Sequence, residues 1–68
     1  MDIYETKISP ETLSANGFKR VQSPMGRIYY IRNGIAVMCI DGLWTIGGLL
    51  HDEPHFEQVY VEYIEQIP

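Results

Sequence analysis

The sequence predicts a small α+β domain in which a short N-terminal helix packs on a four- to five-stranded antiparallel β-meander. Two hairpin signals, Asn33-Gly34 and Asp41-Gly42, separate runs that are rich in β-branched and aromatic residues. A capped helix signal precedes them, between Ser9 and Gly17. With 68 residues the chain has room for one domain, which we predict to span residues 1–68.

Residues 9–17 carry the helix signals. Ser9 is a favourable N-cap, and Pro10 follows at the first helical position, where its missing N–H costs nothing. Asn16-Gly17 ends the helix, because glycine adopts the left-handed conformation there. We expect Phe18 to fold back on Leu13, the apolar contact that accompanies this kind of cap. The helix has about two turns and needs a packing partner.

The strands are predicted from the turns that separate them. A turn at Ser23-Pro24-Met25-Gly26 contains Pro and Gly in positions that turns favour. The predicted strands on either side of the turns are 18–22, 27–32, 35–40 and 43–46. Gly47-Gly48 is expected to end or bulge the fourth strand, and residues 47–56 are predicted to form a loop.

The C-terminal segment supports two interpretations. Val59, Val61 and Tyr63 alternate with their neighbours, which is typical of a strand. Apolar residues also recur at helical spacing, namely Phe56, Tyr60, Tyr63, Ile64 and Ile67. Because β-branched and aromatic residues favour strands, we prefer a fifth strand over residues 57–64.

The predicted strand 35–40 is apolar at every position, and such a strand is normally covered on both faces. One short helix can cover only one of them. We therefore expect a second molecule to close one sheet face or edge, most simply in a homodimer and otherwise through a different protein. The alternative is a thin, self-sufficient core with some half-exposed aromatic residues.

Aromatic and acidic residues are the predicted partner-binding groups. Tyr and Trp are favoured at interface hot spots. The predicted anchor residues of the interface are therefore Tyr29, Tyr30, Trp44, Tyr60 and Tyr63. Residues 35–68 hold six acidic side chains and no Lys or Arg, within a net charge of −4. The residues predicted to attract a basic partner surface electrostatically are therefore Asp52, Glu53, Glu57, Glu62 and Glu65.

Catalysis, cofactors and metals find little support in the sequence. The single cysteine, Cys39, lies in an apolar run and is expected to be a buried thiol. The segment from His51 to His55 contains Pro54, which opposes the helix that would bring both imidazoles onto one metal. No nucleophile elbow or phosphate-binding loop is present. We predict a non-enzymatic interaction protein without a cofactor.

The first alternative function is a homo-oligomeric accessory or structural protein, and the second is a nucleic-acid-binding module. Four basic residues could line one hairpin around Tyr29 and Tyr30 and bind single strands by stacking, namely Lys19, Arg20, Arg27 and Arg32. The overall charge of −4 opposes this, so nucleic acid is an unlikely partner. The N-terminus lacks the signals of a secretory leader, and no apolar run approaches the length of a membrane span. We expect a cytoplasmic protein with no membrane partner.

A resemblance extends over most of the chain. The runs LSANGF, YYIRNGIAVMCIDGLWTIGG and VYVEYIEQI resemble small uncharacterised proteins encoded by phages and mobile elements of Bacteroidetes-type bacteria. The family supplies no activity and no site residues. What the resemblance implies is a small accessory protein of a phage or integrated element. Such proteins often act by binding a host protein, and some block host defence systems.

Overall fold

One short helix precedes five antiparallel strands that lie side by side in chain order, which confirms the predicted α+β class and meander. The computed structural model describes residues 6–50 and 53–68. The elements are α1 (Pro10–Ala15), β1 (Lys19–Gln22), β2 (Ile28–Arg32), β3 (Ile35–Ile40), β4 (Leu43–Leu50), β5 (Glu53–Val61) and a 3-10 turn at Ile64–Gln66.

The predicted helix caps are confirmed. The Ser9 Oγ accepts a hydrogen bond from the Thr12 N–H at 3.1 Å, and the Thr12 Oγ1 accepts one from the Ser9 N–H at 2.8 Å. Gly17 has φ +86°, and the Phe18 N–H donates to the Leu13 carbonyl at 3.0 Å. Leu13 and Phe18 are both buried in the core, as the sequence predicts.

Both predicted two-residue hairpin turns are present. Asn33 and Gly34 have φ values of 51° and 78°, and Asp41 and Gly42 have φ values of 51° and 81°. Positive φ at both central residues is the type I′ pattern, whose twist matches that of the flanking strands. These turns fix the register in which β2, β3 and β4 pair.

The predicted loop over residues 47–56 is wrong. β4 continues through Gly47 and Gly48 to Leu50, and β5 begins at Glu53. A register shift between Ile46 and Gly47 lets the two strands bend and remain paired. Pro54 is compatible with β5 because this strand forms the sheet edge, where one N–H is not needed for pairing.

The C-terminal segment combines both sequence interpretations. The strand ends at Val61, earlier than predicted, and one 3-10 turn follows. The Glu62 and Tyr63 N–H groups donate to the Gln66 Oε1 at 2.8 and 3.0 Å, which turns the backbone away from β4. Beyond the end of β5, Lys7 pairs with Tyr63 in an isolated antiparallel bridge.

The helix-side face of the sheet carries the main core. Cross-strand pairing places Tyr30, Val37 and Ile46 in one row on this face. Helix α1, the segment around Ile8 and the C-terminal 3-10 turn close over it. The buried cluster consists of Ile8, Leu13, Phe18, Tyr30, Val37, Val61, Ile64 and Ile67.

The opposite face is buried as well, over part of its length. Tyr29, Ala36 and Thr45 retain 3%, 0% and 2% of their accessible surface. The sheet curls into a half-barrel, and the Met25 N–H donates to the Glu53 Oε1 at 2.9 Å. This bond ties the start of β5 to the β1–β2 turn, so the far part of the β4–β5 ribbon reaches back over this face. The chain itself supplies part of the closure that the sequence analysis assigned to a second molecule.

Replacing Ser9→Ala removes one half of the reciprocal cap and should lower the free energy of unfolding by about 1 kcal/mol. Ser14→Ala is the matched control, because Ser14 is exposed on the same helix. Chemical denaturation measures both variants. Equal stability of the two variants would contradict the assigned cap.

Replacing Gly34→Ala should destabilise the protein by about 1–2 kcal/mol, because alanine is strained at φ +78°. No atom lies within 4 Å of a Cβ built at Gly34 or at Gly48, so crowding does not enter the comparison. Gly48→Ala should therefore be nearly neutral. Thermal unfolding of the two variants tests this, and a larger loss at Gly48 would contradict the backbone explanation.

Replacing Glu53→Ala should release the β4–β5 ribbon from the β1–β2 turn. The expected loss is about 1 kcal/mol, together with faster hydrogen exchange at the Met25 amide. Glu53→Gln keeps a side-chain oxygen that can accept the same bond and should retain most of the protection. If the Met25 amide exchanges equally in all three proteins, the tie does not hold the ribbon.

Candidate protein-interaction surface

Four apolar side chains remain uncovered where the Asp41–Gly42 turn joins β3 to β4. Ile40 pairs directly with Leu43, and the next row on the same face joins Met38, Thr45 and Tyr60. Leu43 and Tyr60 are 52% and 55% exposed, Ile40 is 39% exposed, and Met38 is half-buried. Neighbours in such rows have Cβ atoms about 5 Å apart, so these side chains form one patch. We call Met38, Ile40, Leu43 and Tyr60 the open end.

The Asp41–Gly42 end of the sheet is left partly uncovered on both faces, for a different reason on each. The six residues of α1 span about 9 Å, whereas the six residues of β3 span about 20 Å. The helix covers part of one face, and the β4–β5 ribbon bends over the other face from the far end of the sheet. Thr45 marks the boundary of the covered region, because it is buried while Tyr60 beside it is exposed.

Cys39 corrects the sequence analysis in the same region. Its thiol is exposed, although its neighbours in the sequence are apolar. Cys39 pairs with Trp44 on the helix side of the sheet, near the Asp41–Gly42 turn. The short helix does not extend over that end of the sheet, so an apolar sequence around Cys39 does not ensure its burial.

Acidic residues border the open end. Asp41 lies in the turn between Ile40 and Leu43, and it is exposed. The exposed Glu62 directly follows Val61, the partner of Trp44, and lines the same groove as Leu43. The apolar patch therefore has carboxylates at its edge. Residues 35–68 contain no Lys or Arg, and the exposed Lys7 lies beside Glu62 on the helix side.

A groove of about 350 Å³ adjoins the open end on the helix side. Leu43 belongs to both surfaces, so the apolar area continues around the end of the sheet. The exposed Lys7 and Glu62 place one charge of each sign beside its apolar walls. The groove is lined by Lys7, Ile8, Gly42, Leu43, Trp44, Val61 and Glu62.

The predicted aromatic anchors do not form one exposed surface. Tyr29 and Tyr30 are 3% and 8% exposed and lie on opposite faces. Trp44 is half-buried and packs edge-to-face on Tyr30, with ring centroids 6.3 Å apart. Tyr63 is half-buried beside the N-terminal segment. Of these five, only Tyr60 presents most of its side chain to solvent.

The predicted acidic residues also divide by environment. Glu53 is half-buried and accepts from the Met25 amide, while its Oε2 is buried and has no partner within residues 6–50 and 53–68. Glu65 accepts weakly from the Thr6 N–H at 3.3 and 3.4 Å. Asp52 and the side chain of Glu57 lie outside the described part of the chain. Glu62 is the predicted steering residue that borders the open end.

Ile40 and Leu43 are the surface residues that the sequence analysis missed. Their signal was present, since both flank the Asp41-Gly42 turn and form the first cross-strand pair after it. Aliphatic residues beside a turn lie at the end of a sheet, away from the elements that cover its middle. The bent β4–β5 ribbon covers part of the face on which they lie, and its path could not be predicted from local sequence, so the position beside the turn was the one available signal.

The basic hairpin does not form a stacking surface. Lys19 and Arg20 are adjacent in β1 and therefore point to opposite faces. The Arg32 guanidinium lies 4.3 Å from the centre of the Phe18 ring and donates to the Asn16 carbonyl at 2.8 Å, which stabilises the helix C-terminus. Tyr29 and Tyr30, the rings proposed to stack on bases, are buried.

Titratable side chains form no larger constellation within residues 6–50 and 53–68. No three His, Cys, Asp or Glu residues gather there as a metal site would require. His51 and Asp52 of the predicted cluster fall outside these ranges. Across the same ranges, no helix has the length and apolar character needed to cross a membrane.

Comparisons with protein-family models, curated proteins and solved structures gave no match.

Proposed function

We propose that this chain is a non-enzymatic protein-interaction module whose open end binds a partner protein. The observation that carries the proposal is a contiguous set of exposed Ile40, Leu43 and Tyr60 with carboxylates at its border. Exposed aliphatic residues are ordinary when scattered, whereas a clustered group with a polar rim is typical of binding surfaces.

The apolar residues provide the attraction in this proposal. Fully burying a Leu, Ile or comparable side chain stabilises by about 1.5–3 kcal/mol. Leu43 and Tyr60 each still expose about half of their accessible surface, which a partner could bury. Tyr60 also has a hydroxyl that can remain hydrogen-bonded at an interface rim. Tyr60 is therefore the hot-spot candidate that remains from the predicted aromatic anchors.

The acidic border selects the kind of partner. Asp41 and Glu62 favour a surface that carries Lys or Arg beside its apolar contact area. The most specific version of the proposal is inhibition of a nucleic-acid-handling host protein, including one used in defence, by a phage or mobile-element protein. It is supported by the acidic C-terminal half, which would compete for a basic surface, and by the resemblance described above.

A homodimer is the second candidate, and the same apolar patch favours it. Patch-to-patch packing about a twofold axis would bring the Asp41 and Glu62 carboxylates of both copies to one border, which opposes association at low salt. A homodimer through the open end should therefore strengthen as salt is added. Binding to a basic partner should weaken under the same change.

Leu43→Ser and Tyr60→Ser should each abolish recovery of the partner in a pull-down from lysate of the source organism. Met25→Ser is the matched control, because Met25 is 73% exposed on the β1–β2 turn, outside the open end. Each sample is read by mass spectrometry after nuclease treatment, and light scattering records the mass of each bait. Circular dichroism confirms that the variants remain folded.

The proposal predicts one protein that survives nuclease, is retained by Met25→Ser and is lost with the other two variants. Retention of that protein by all three variants would contradict the assigned surface. Loss of every bound protein on nuclease treatment would favour the nucleic-acid alternative, and a bait of twice the chain mass with nothing bound would favour the homodimer.

A further inference from the structure

The two edge strands of the sheet, β1 and β5, differ in how well they are protected against pairing with an additional strand. β1 is four residues long and exposes Lys19 and Arg20, which discourage an incoming strand. β5 has Pro54 and a register shift in its first half. Its second half, Val59–Val61, has neither a charge nor a proline, and Val59 and Tyr60 are 46% and 55% exposed on opposite faces. β5 therefore has a short unprotected edge.

This edge already pairs with an extended segment where β5 ends. The Ile8 N–H donates to the Glu62 carbonyl at 3.0 Å, and the Ile64 N–H donates to the Thr6 carbonyl at 2.9 Å. The chain then leaves the edge, because Ser9 caps helix α1. Among the described residues, no strand pairs with the outer side of Val59–Val61.

The pairing at Glu62 indicates which backbone groups are available. Backbone N–H and C=O directions alternate along a strand, so Tyr60 points its backbone groups to the same side as Glu62. At Glu62 these groups are occupied, since its N–H donates to Gln66 and its carbonyl accepts from Ile8. At Tyr60 no described group occupies them. The Tyr60 side chain belongs to the open end, so one residue offers both a backbone edge and an apolar side chain.

We propose that the Val59–Val61 edge of β5 binds an extended segment of the partner protein by strand addition, and that this segment carries Lys or Arg. Main-chain hydrogen bonds at Tyr60 provide the affinity, and contacts with Val59 and Tyr60 select apolar residues on either face. The basic character follows from the Asp41 and Glu62 carboxylates beside this surface. Residues 35–68 have no Lys or Arg, and the nearby Lys7 lies beyond the end of the edge, where it pairs with Tyr63. The inference rests on the proposed function, because it specifies how the partner meets the same surface.

A second copy of this chain fits the edge less well. Two β5 strands would bring acidic residues from both copies together, with no basic residue in either strand. The N-terminal segment also occupies the edge at Glu62 and limits how far a paired β5 could extend. A basic strand from a different protein avoids the repulsion between acidic residues. It also fits beside the N-terminal segment if it is short.

The test uses the full chain, labelled for NMR, and three acetylated and amidated hexapeptides. The first alternates Lys and Val, the second is its copy with N-methyl groups on one edge, and the third alternates Glu and Val. N-methylation removes main-chain donors and leaves the side chains unchanged. The Lys–Val peptide should slow hydrogen exchange at the Tyr60 amide, and each of the other two should bind at least about tenfold more weakly.

A variant pair tests the same edge from the protein side. Tyr60→Ala keeps the outward N–H, whereas Tyr60→Pro removes it at a position where an edge strand tolerates proline. We expect the alanine variant to bind the Lys–Val peptide more weakly than the unmodified chain and the proline variant not to bind it. If the proline variant fails to fold, the comparison of the two Lys–Val peptides still decides the question.

Three results would overturn strand addition. Equal binding of the N-methylated peptide, with shifts confined to Ile40 and Leu43, would exclude the edge and leave the proposed interaction surface standing. Absence of binding by every peptide would overturn the edge proposal, while the pull-down tests the surface separately. If the Tyr60 amide exchanges slowly without peptide, and still more slowly at higher protein concentration, the edge pairs with a second copy of the chain.

Discussion

Strand β3 imposes the constraint on which the remainder of the structure depends. It is apolar at every position and lies in the middle of the five-stranded sheet, so both of its faces must be covered. Ala36 and Val37 point to opposite faces, and each has 0% of its surface exposed. The chain achieves this with a six-residue helix on one side and a bent β4–β5 ribbon on the other. Neither element reaches the Asp41–Gly42 end.

Local features of the fold could be predicted because nearby residues determine them. The Ser9 cap, the Gly17 terminus and the two type I′ turns depend on interactions within about four positions of sequence. The β4–β5 hairpin could not be predicted in this way. Gly47-Gly48 is as typical of a strand end as of a bend, and contacts with the distant β1–β2 turn accompany the bend.

In the candidate site, too, some features could be predicted from nearby residues and others depend on tertiary contacts. Alternation along a strand predicts which side chains share a face, but it does not tell which part of that face is covered. Tyr29 and Tyr60 lie on one face, yet Tyr29 is 3% exposed and Tyr60 is 55% exposed. The difference depends on the path of the ribbon, which is a tertiary feature. Composition could predict that aromatic residues matter, whereas geometry was needed to separate core residues from surface residues.

Tyr60 connects the two functional inferences. Its side chain lies in the open end, and its backbone lies on the unprotected part of the β5 edge. A partner strand that paired with this edge would place side chains beside Tyr60, and the apolar patch continues from there across β4 to Leu43 and across β3 to Ile40. The proposed binding surface therefore combines three features, namely apolar side chains, an acidic border and an unpaired backbone edge. Binding through this surface requires no catalytic group.

Solvent accessibility of side-chain methyl groups tests the central claim most directly, namely that the chain covers one end of its second sheet face and leaves the other end open. A soluble paramagnetic probe added to the methyl-labelled chain should relax Ile40 and Leu43 strongly and Ala36 weakly, at both low and high protein concentration. Strong relaxation of Ala36 would mean that the ribbon does not cover the face. Weak relaxation of Ile40 and Leu43 would mean that the open end is already closed.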